Sequence, residues 1–333
     1  MRNIGQWRAF AGLFLLFAAC EHKELCYEHP HVKTVRVAFD WKYAPNANPE
    51  GMCVFFYPVD STQSVRRFDF SGKQGGQIEI EVGEYKVICY NNDTEAVLFK
   101  GTNEFETNER YTREGDIFES IYGSAANTAP RAKGAEDQRV VISPDMMWGA
   151  TAEPVVITDI GISYSCVPEK DKDKVSVENT EYVITLYPQE EVCTYTYEII
   201  NIQYLHHVTQ ACGTLSGMAG NHFPVFDRLG DECVTIPFEA HSDGTSKITG
   251  KFYTFGHHPN NPEKHLFVLY VWLKDNAKYY YTFDVTDQVH AAPDKRHVHI
   301  IIDDLVLPKP IENGGGFKPS VDDWIDEEYD IIM

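Results

Sequence analysis

What most limits the fold of this chain is the two-residue rhythm of its apolar side chains. In VKTVRVAFDW, Val35, Val37, Phe39 and Trp41 fall on one face. QIEIEVGEYKVICYNND places Ile78, Ile80 and Val82 on one face, turns at Gly-Glu, and resumes with Tyr85, Val87 and Cys89. Period-two alternation bounded by Gly, Asn and Asp marks half-buried strands, because successive side chains of a strand point to opposite faces. MCVFFYPVD is apolar on both faces, as expected of a central strand. Further along, TEYVITLYP alternates Tyr182, Ile184 and Leu186, and VCTYTYEIINIQYL is a long strand rich in Thr, Tyr and Ile. KITGKFYTFG, HLFVLYVWLKD, KYYYTFDVTDQV and RHVHIIIDDLVLP continue the pattern. Turn signals recur about every ten to fifteen residues, the rhythm of a β-sandwich rather than of βαβ units. The fold class is therefore all-β. Two stretches depart from it: Glu106–Tyr122 reads as containing a short helix, and ACGTLSGMAG, with Gly217 and Gly220, as a tight turn or short helix.

The length of 333 residues points to two domains. GSAANTAPRAKGAEDQ is small, polar and turn-rich, which places the junction between them. The expected organisation is a signal segment over 1–19, a linker over 20–31, a first sandwich over 32–125, an inter-domain linker over 126–152, a second sandwich over 153–310, and a flexible acidic tail over 311–333. Gly314, Gly315 and Gly316 supply a hinge for that tail.

The N-terminus carries Arg2 and Arg8, then an apolar run from Ala9 to Ala19 ending in two small residues before Cys20. This is the layout of a secretory signal. The run is about half of the ~20 apolar residues a spanning helix needs. The small-small-Cys ending resembles a bacterial lipobox, which would make Cys20 the acylated first residue of the mature chain. A plain signal peptide cleaved elsewhere is the other reading. With Cys20 acylated, seven cysteines remain: Cys26, Cys53, Cys89, Cys166, Cys193, Cys212 and Cys233. The number is odd and no CxxC occurs, which argues against a zinc ribbon. Cys53, Cys89 and Cys193 lie in apolar strands, where Cys behaves as a small hydrophobe. The net charge of −21 argues against nucleic acid and against a polybasic membrane patch.

No catalytic constellation is present: there is no GxSxG elbow, HExxH pair or phosphate loop. His297 and His299 would share a strand face, and His206–His207 and His257–His258 are adjacent pairs. None comes with the third and fourth ligands that a metal needs, so surface or edge-strand imidazoles are expected. Asp284, Asp287, Asp303 and Asp304 lack the Asp/Gly/Glu ladder of a calcium loop. In Tyr279–Tyr281 alternation turns Tyr280 away from its neighbours, so at least one side packs in a core. No catalytic, cofactor or metal residue is assigned, and the chain does not read as an enzyme.

The order of blocks carries a resemblance. After the lipoprotein-like signal come VRVAFDWKYAPNANPEGMCVFFYP and GEYKVICYNNDTE, then LSGMAG, FYTFG, YYYTFDVTDQV and finally GGGFKPSVDDWIDEEYDIIM. Over nearly the whole mature chain this resembles the fimbrillin-associated anchor lipoproteins of Bacteroidales, the FimB-like minor subunits of type V pili. The resemblance implies two tandem transthyretin-like sandwiches on a lipid anchor in the outer membrane, exposed at the cell surface. It further implies fimbrial stalk subunits as partners through β-strand exchange, and an N-terminal strand that is kept rather than removed by an arginine-specific protease. Arg66–Arg67 in SVRRFDF would be such a cleavage point if exposed. The alternation around them reads as an ordinary strand edge, and they are expected to stay uncut.

The tail is the candidate partner-binding element. Val321, Trp324, Ile325, Tyr329, Ile331 and Ile332 are apolar among six acids between Asp322 and Asp330. An apolar strand after a glycine hinge suits donation to another subunit's sheet. Folding back onto its own second domain is the equally open alternative. Two other classes stand beside the fimbrial one. A surface glycan-binding lipoprotein of a polysaccharide-uptake system would use an exposed aromatic such as Trp148. A secreted hydrolase would carry a site that no motif reveals.

Overall fold

The structure is a computed structural model that describes residues 31–60, 62–118, 129–166, 175–179, 181–258, 264–310 and 324–328. Cys20 and Cys26 lie outside these residues. The chain first runs through β1 (Val32–Phe39), β2 (Gly51–Pro58), β3 (Arg66–Ser71), β4 (Gly75–Glu81), β5 (Gly83–Asn91), β6 (Val97–Lys100), β7 (Glu109–Thr112), β8 (Arg139–Val140), β9 (Trp148–Ile157), β10 (Ile162–Cys166), β11 (Val175–Asn179), β12 (Val183–Leu186) and β13 (Gln189–Glu190). It continues through β14 (Cys193–Ile200), β15 (Val208–Ala219), β16 (Asn221–Phe223), β17 (Arg228–Leu229), β18 (Cys233–Glu239), β19 (His241–Ser242), β20 (Ile248–Thr254), β21 (Leu266–Leu273), β22 (Lys278–Asp284), helix α1 (Thr286–Ala291), β23 (His297–Asp303) and β24 (Trp324–Glu328).

Two sandwiches result. In the first, the sheet β12-β1-β4 faces the larger sheet β11-β10-β9-β5-β2-β3. Between them lie Val35 and Val37 of β1, Met52, Val54 and Phe56 of β2, and Val87 and Cys89 of β5, with Val155 and Ile157 of β9 and Ile184 and Leu186 of β12. Each such fully buried side chain is worth about 1.5–3 kcal/mol. The alternation read from the sequence is the inward row of this core. In the second sandwich, β19-β20-β14-β23 faces β24-β22-β21-β15-β18-β8. Tyr195, Tyr197 and Ile199 of β14 meet Phe267, Leu269 and Val271 of β21, while Val298, Ile300 and Ile302 of β23 close one side.

Both large sheets are also covered on their outer faces, which is why β2 and β21 are apolar throughout. On β2 the outer row Cys53, Phe55 and Tyr57 packs with Tyr90, Val97, Met147 and Phe255. Above it lies a small sheet, β17-β16-β7-β6, built half from the first part of the chain and half from the second. The outer row of β21, Val268, Tyr270 and Trp272, packs under Phe118, Ala132, Ala135 and Val140.

This arrangement moves the expected domain boundary. Residues 129–141 do not link two units end to end. They form a strap on the outer face of the second sandwich, where alanines permit close approach. Tyr270 donates its hydroxyl to the carbonyl of Pro130 at 2.7 Å, and Arg139 grips Glu232 with Nε and Nη2 at 2.6 and 2.7 Å. The chain then returns to the first sandwich. Asn91 accepts from the Trp148 N–H at 2.7 Å and donates to the Met146 carbonyl at 3.2 Å, and β9 pairs with β5. Strands β9, β10, β11 and β12, expected in whole or part in the second sandwich, complete the first. A small, polar stretch marks an excursion from one core, and composition does not say where the chain goes next.

Two local expectations also change. The described part of Glu106–Tyr122 holds strand β7 and irregular chain to Phe118, with no helix. ACGTLSGMAG is not a turn: Ala211–Ala219 run to the end of β15, the strand between β18 and β21. The pairing of β15 with β18 shifts register between Leu215 and Met218, and Gly217 takes φ of 77° there. A Cβ at Gly217 would lie 2.9 Å from the Lys264 carbonyl oxygen, so the bulge needs glycine for both space and conformation.

Candidate partner-binding edge

The described part of the tail forms β24, a parallel strand on the edge of β22, with Trp324 opposite Lys278 and Glu328 opposite Thr282. Among the described residues only β22 holds it by main-chain hydrogen bonds, and it ends its sheet. Its side-chain anchor is Trp324. That indole stacks on Phe118 at 5.3 Å with planes 17° apart, and meets the edges of Tyr270 at 5.4 Å and Trp272 at 5.1 Å. The Lys278 ammonium lies 5.9 Å from its ring centre. Ile325 is 38% exposed and Asp326 is exposed. The strand is thus short and acidic, with one aromatic plug in a slot of three aromatics.

Of the tail residues singled out by sequence, Trp324 and Ile325 are in this strand. Val321, Tyr329, Ile331 and Ile332 lie outside the described residues, as does Cys20. Sequence reading missed the slot itself. Its signal was present in HLFVLYVWLKD: Tyr270 and Trp272 share a face that a half-buried strand would keep polar, so something had to cover it. Phe118 has no such signal, because it lies in irregular chain. Tyr279–Tyr281 divide as alternation requires, with Tyr279 and Tyr281 toward the inner core and Tyr280 toward the slot face.

At the other end, β1 is the middle strand of its sheet, between β12 and β4, and Val35 and Val37 are fully buried. Arg66 and Arg67 begin β3, paired across from Phe56 and Phe55. Arg67 donates to both carboxylate oxygens of Asp69, and Arg66 reaches Glu81 at 3.3 Å. Both side chains are about half exposed, while their backbone is held in the edge strand.

The remaining candidates separate. His297 lies 3.0 Å from Asp294 and 3.2 Å from Glu190, and His299 lies 2.9 Å from Thr196. Among the described residues no group of three or more His, Cys, Asp or Glu is arranged to hold a metal ion. Asp284 is paired with Lys264 at 2.8 Å. Trp148 is half-buried, edge-on to Trp41 at 6.4 Å, and is not an exposed stacking platform. Burial pushes the Cys53 thiol up to about 12, so it is protonated at neutral pH. No helix among the described residues is long and apolar enough to cross a membrane.

The family profile described as a domain of unknown function, DUF5119, matches residues 19–239, more than half of the chain. The chain belongs to the DUF5119 family. It is 23% identical to a candidate fimbrium anchoring subunit, Fim4B, of Bacteroides ovatus, over 94% of this chain and 93% of that protein. Among solved structures it is similar to a candidate adhesin from Bacteroides ovatus ATCC 8483, with a TM-score of 0.58 at 20% identity, covering 88% of this chain and 98% of the other. That likeness establishes a shared fold. The fimbrial anchor protein Mfa2 of Porphyromonas gingivalis aligns with a TM-score of 0.46 at 13% identity, over 81% of this chain and 91% of that one.

Proposed function

We propose that this DUF5119 chain is an anchor or minor subunit of a fimbria on the cell surface, a structural protein rather than an enzyme. In this reading it is tethered to the outer membrane by lipid on Cys20, and it engages a neighbouring subunit by strand exchange at the β22 edge. The near full-length similarity to the Fim4B candidate supports the fimbrial part. The observation that carries the exchange part is β24: a strand of five residues, paired on one side among the described residues, whose main apolar anchor is a single tryptophan. Such a strand can leave its edge at small cost, and the uncovered edge and the freed strand are the two halves of a β-augmentation. Its acids keep an unpaired edge from indiscriminate association.

Truncation after Gly314 tests this reading. The truncated protein should keep its cooperative unfolding and lose capture of fimbrial stalk subunits. Capture that survives truncation refutes the exchange role. Deletion of the gene should give shed or abnormally long fimbriae, and normal fimbriae would refute the anchor role. Conversion of Cys20 to Ala should move the protein from the membrane fraction to the soluble fraction.

A further inference from the structure

Three imidazoles from three elements meet where β21 begins and β22 ends. His257 follows β20, His265 precedes β21, and His290 lies on α1. Their ring centres are 5.4 Å apart for His257–His265, 5.4 Å for His257–His290 and 4.9 Å for His265–His290. His265 is 0% exposed and His257 5%.

The hydrogen bonds dictate the protonation state. His265 Nδ1 lies 3.1 Å from the Ser216 carbonyl, so it carries the proton and donates. Nε2 of the neutral ring is then an acceptor, and His290 Nε2, 3.0 Å away, donates to it. His257 Nδ1 lies 2.7 Å from the Tyr195 hydroxyl, while its Nε2 is buried with no hydrogen-bond partner. These bonds therefore fit neutral rings at His257 and His265. A proton added at His265 Nε2 would set N–H against N–H at 3.0 Å unless His290 moved its own proton to Nδ1, so charging His265 requires a tautomer change in its neighbour. With Nδ1–H donating to the Tyr195 oxygen, a proton that makes His257 a cation adds a buried N–H at Nε2 without an acceptor.

The charges facing the cluster do not relieve this. Lys295 donates to the His290 carbonyl, and it and His258 act on His257 as further positive groups. Among the described residues, the facing carboxylate that favours a charged His265 is Asp284, already bound by Lys264. Burial holds both His257 and His265 down at about 4, reinforced at His257 by the other imidazoles and Lys295; at His265 the bond to the Ser216 carbonyl and Asp284 oppose it without cancelling it. The same corner carries the bonds that pin the end of β22 to the start of β21: the His265 N–H donates to Thr286 Oγ1 at 2.9 Å, and the Val285 N–H to the His265 carbonyl at 3.0 Å.

We propose that the His257–His265–His290 cluster is an acid-sensitive latch on the β21–β22 corner, so that acidification frays β22 and loosens the tail strand that takes its main-chain hydrogen bonds from β22. The latch stands on the cluster itself; its use in releasing the tail rests on the fimbrial reading. The sign follows from linkage. A histidine near 6.5 when unfolded and near 4 when folded binds more protons unfolded, so its contribution is complete above pH 6.5 and is lost as pH falls toward 4. At pH 5 the folding or closing constant should fall about 30-fold for each of the two histidines.

The test is hydrogen exchange on the full chain from pH 7.5 to 4.5, corrected for intrinsic rates, with urea midpoints at each pH. Wild type should lose protection over residues 266–291 and 324–328 below pH 6.5. The His257→Phe/His265→Asn double variant should show a flattened pH dependence, and His241→Gln, on an exposed histidine, should match wild type. Equal pH slopes in wild type and double variant overturn the proposal. If the double variant does not fold, NMR titration of wild type decides: two imidazoles titrating well below 6 support the latch, and all titrating near 6.5 overturn it. Fraying of β22 at acid pH in a protein whose tail proves irrelevant to subunit capture would leave the latch standing and remove only its fimbrial use.

Discussion

Replacing Trp324 with Ala should open the tail without unfolding the protein. The substitution removes the stack on Phe118 and the edge contacts to Tyr270 and Trp272. A fully buried Trp→Ala costs about 3–5 kcal/mol. Trp324 is half-buried, so about 2 kcal/mol is expected, of which the aromatic contacts contribute roughly 0.5–1.5 kcal/mol. Trp324 sits on the outer face of its sheet, apart from the inner core of Tyr197, Phe267 and Tyr281. The loss should therefore fall on the docking of β24, raising its open fraction about 30-fold. Hydrogen exchange of 324–328 and of the paired residues 278–282 measures this, with urea denaturation as control. Phe118→Ala should give the same direction of effect from the other side of the slot. The reasoning fails if exchange in β24 is unchanged, or if the urea midpoint falls as far as a core truncation would lower it.

Gly217→Ala should destabilise the second sandwich by about 2 kcal/mol or more in urea, because it combines a positive φ with a Cβ 2.9 Å from the Lys264 oxygen. Glu191→Gln should cost about 3–5 kcal/mol in thermal or urea unfolding, since it strands the Arg110 guanidinium, 1% exposed, whose Nε lies 3.0 Å from Glu191; Arg110→Met in the same chain should recover much of that loss. Cys53, Cys89 and Cys212 should react with a thiol reagent only after unfolding, as burial raises all three thiols. Rapid labelling of any of them in native protein, read by mass spectrometry, contradicts the fold described.

Strands were legible wherever one face is buried and the other wet. Val35, Val37 and Phe39, or Val298, Ile300 and Ile302, announce themselves because a half-buried strand leaves a period of two. The misread stretches lack that contrast. β7 is four residues long, too short for a period to show. The bulge in β15 puts a glycine where a strand normally excludes one, and glycine reads as a turn. The candidate site was legible only as far as Trp324 and Ile325 being apolar residues in an acidic tail. Whether such a segment leaves or returns depends on a receptor made by other residues, and those are 206 positions away in one case, Phe118.

By itself the sequence determined the class of the fold, the paired apolar cores and the absence of a motif for catalysis, because these follow from local periodicity and from residue types at fixed spacings. Only the tertiary structure decided that the chain passes between its two sandwiches rather than finishing one before starting the other. It alone placed β24 on β22, lodged Trp324 between Phe118, Tyr270 and Trp272, and brought His257, His265 and His290 within 5.4 Å of one another. The physical reason is common to all three. Each depends on which distant segments meet at one place in the fold, and burial sets how apolar a position must be, not which distant part of the chain will cover it.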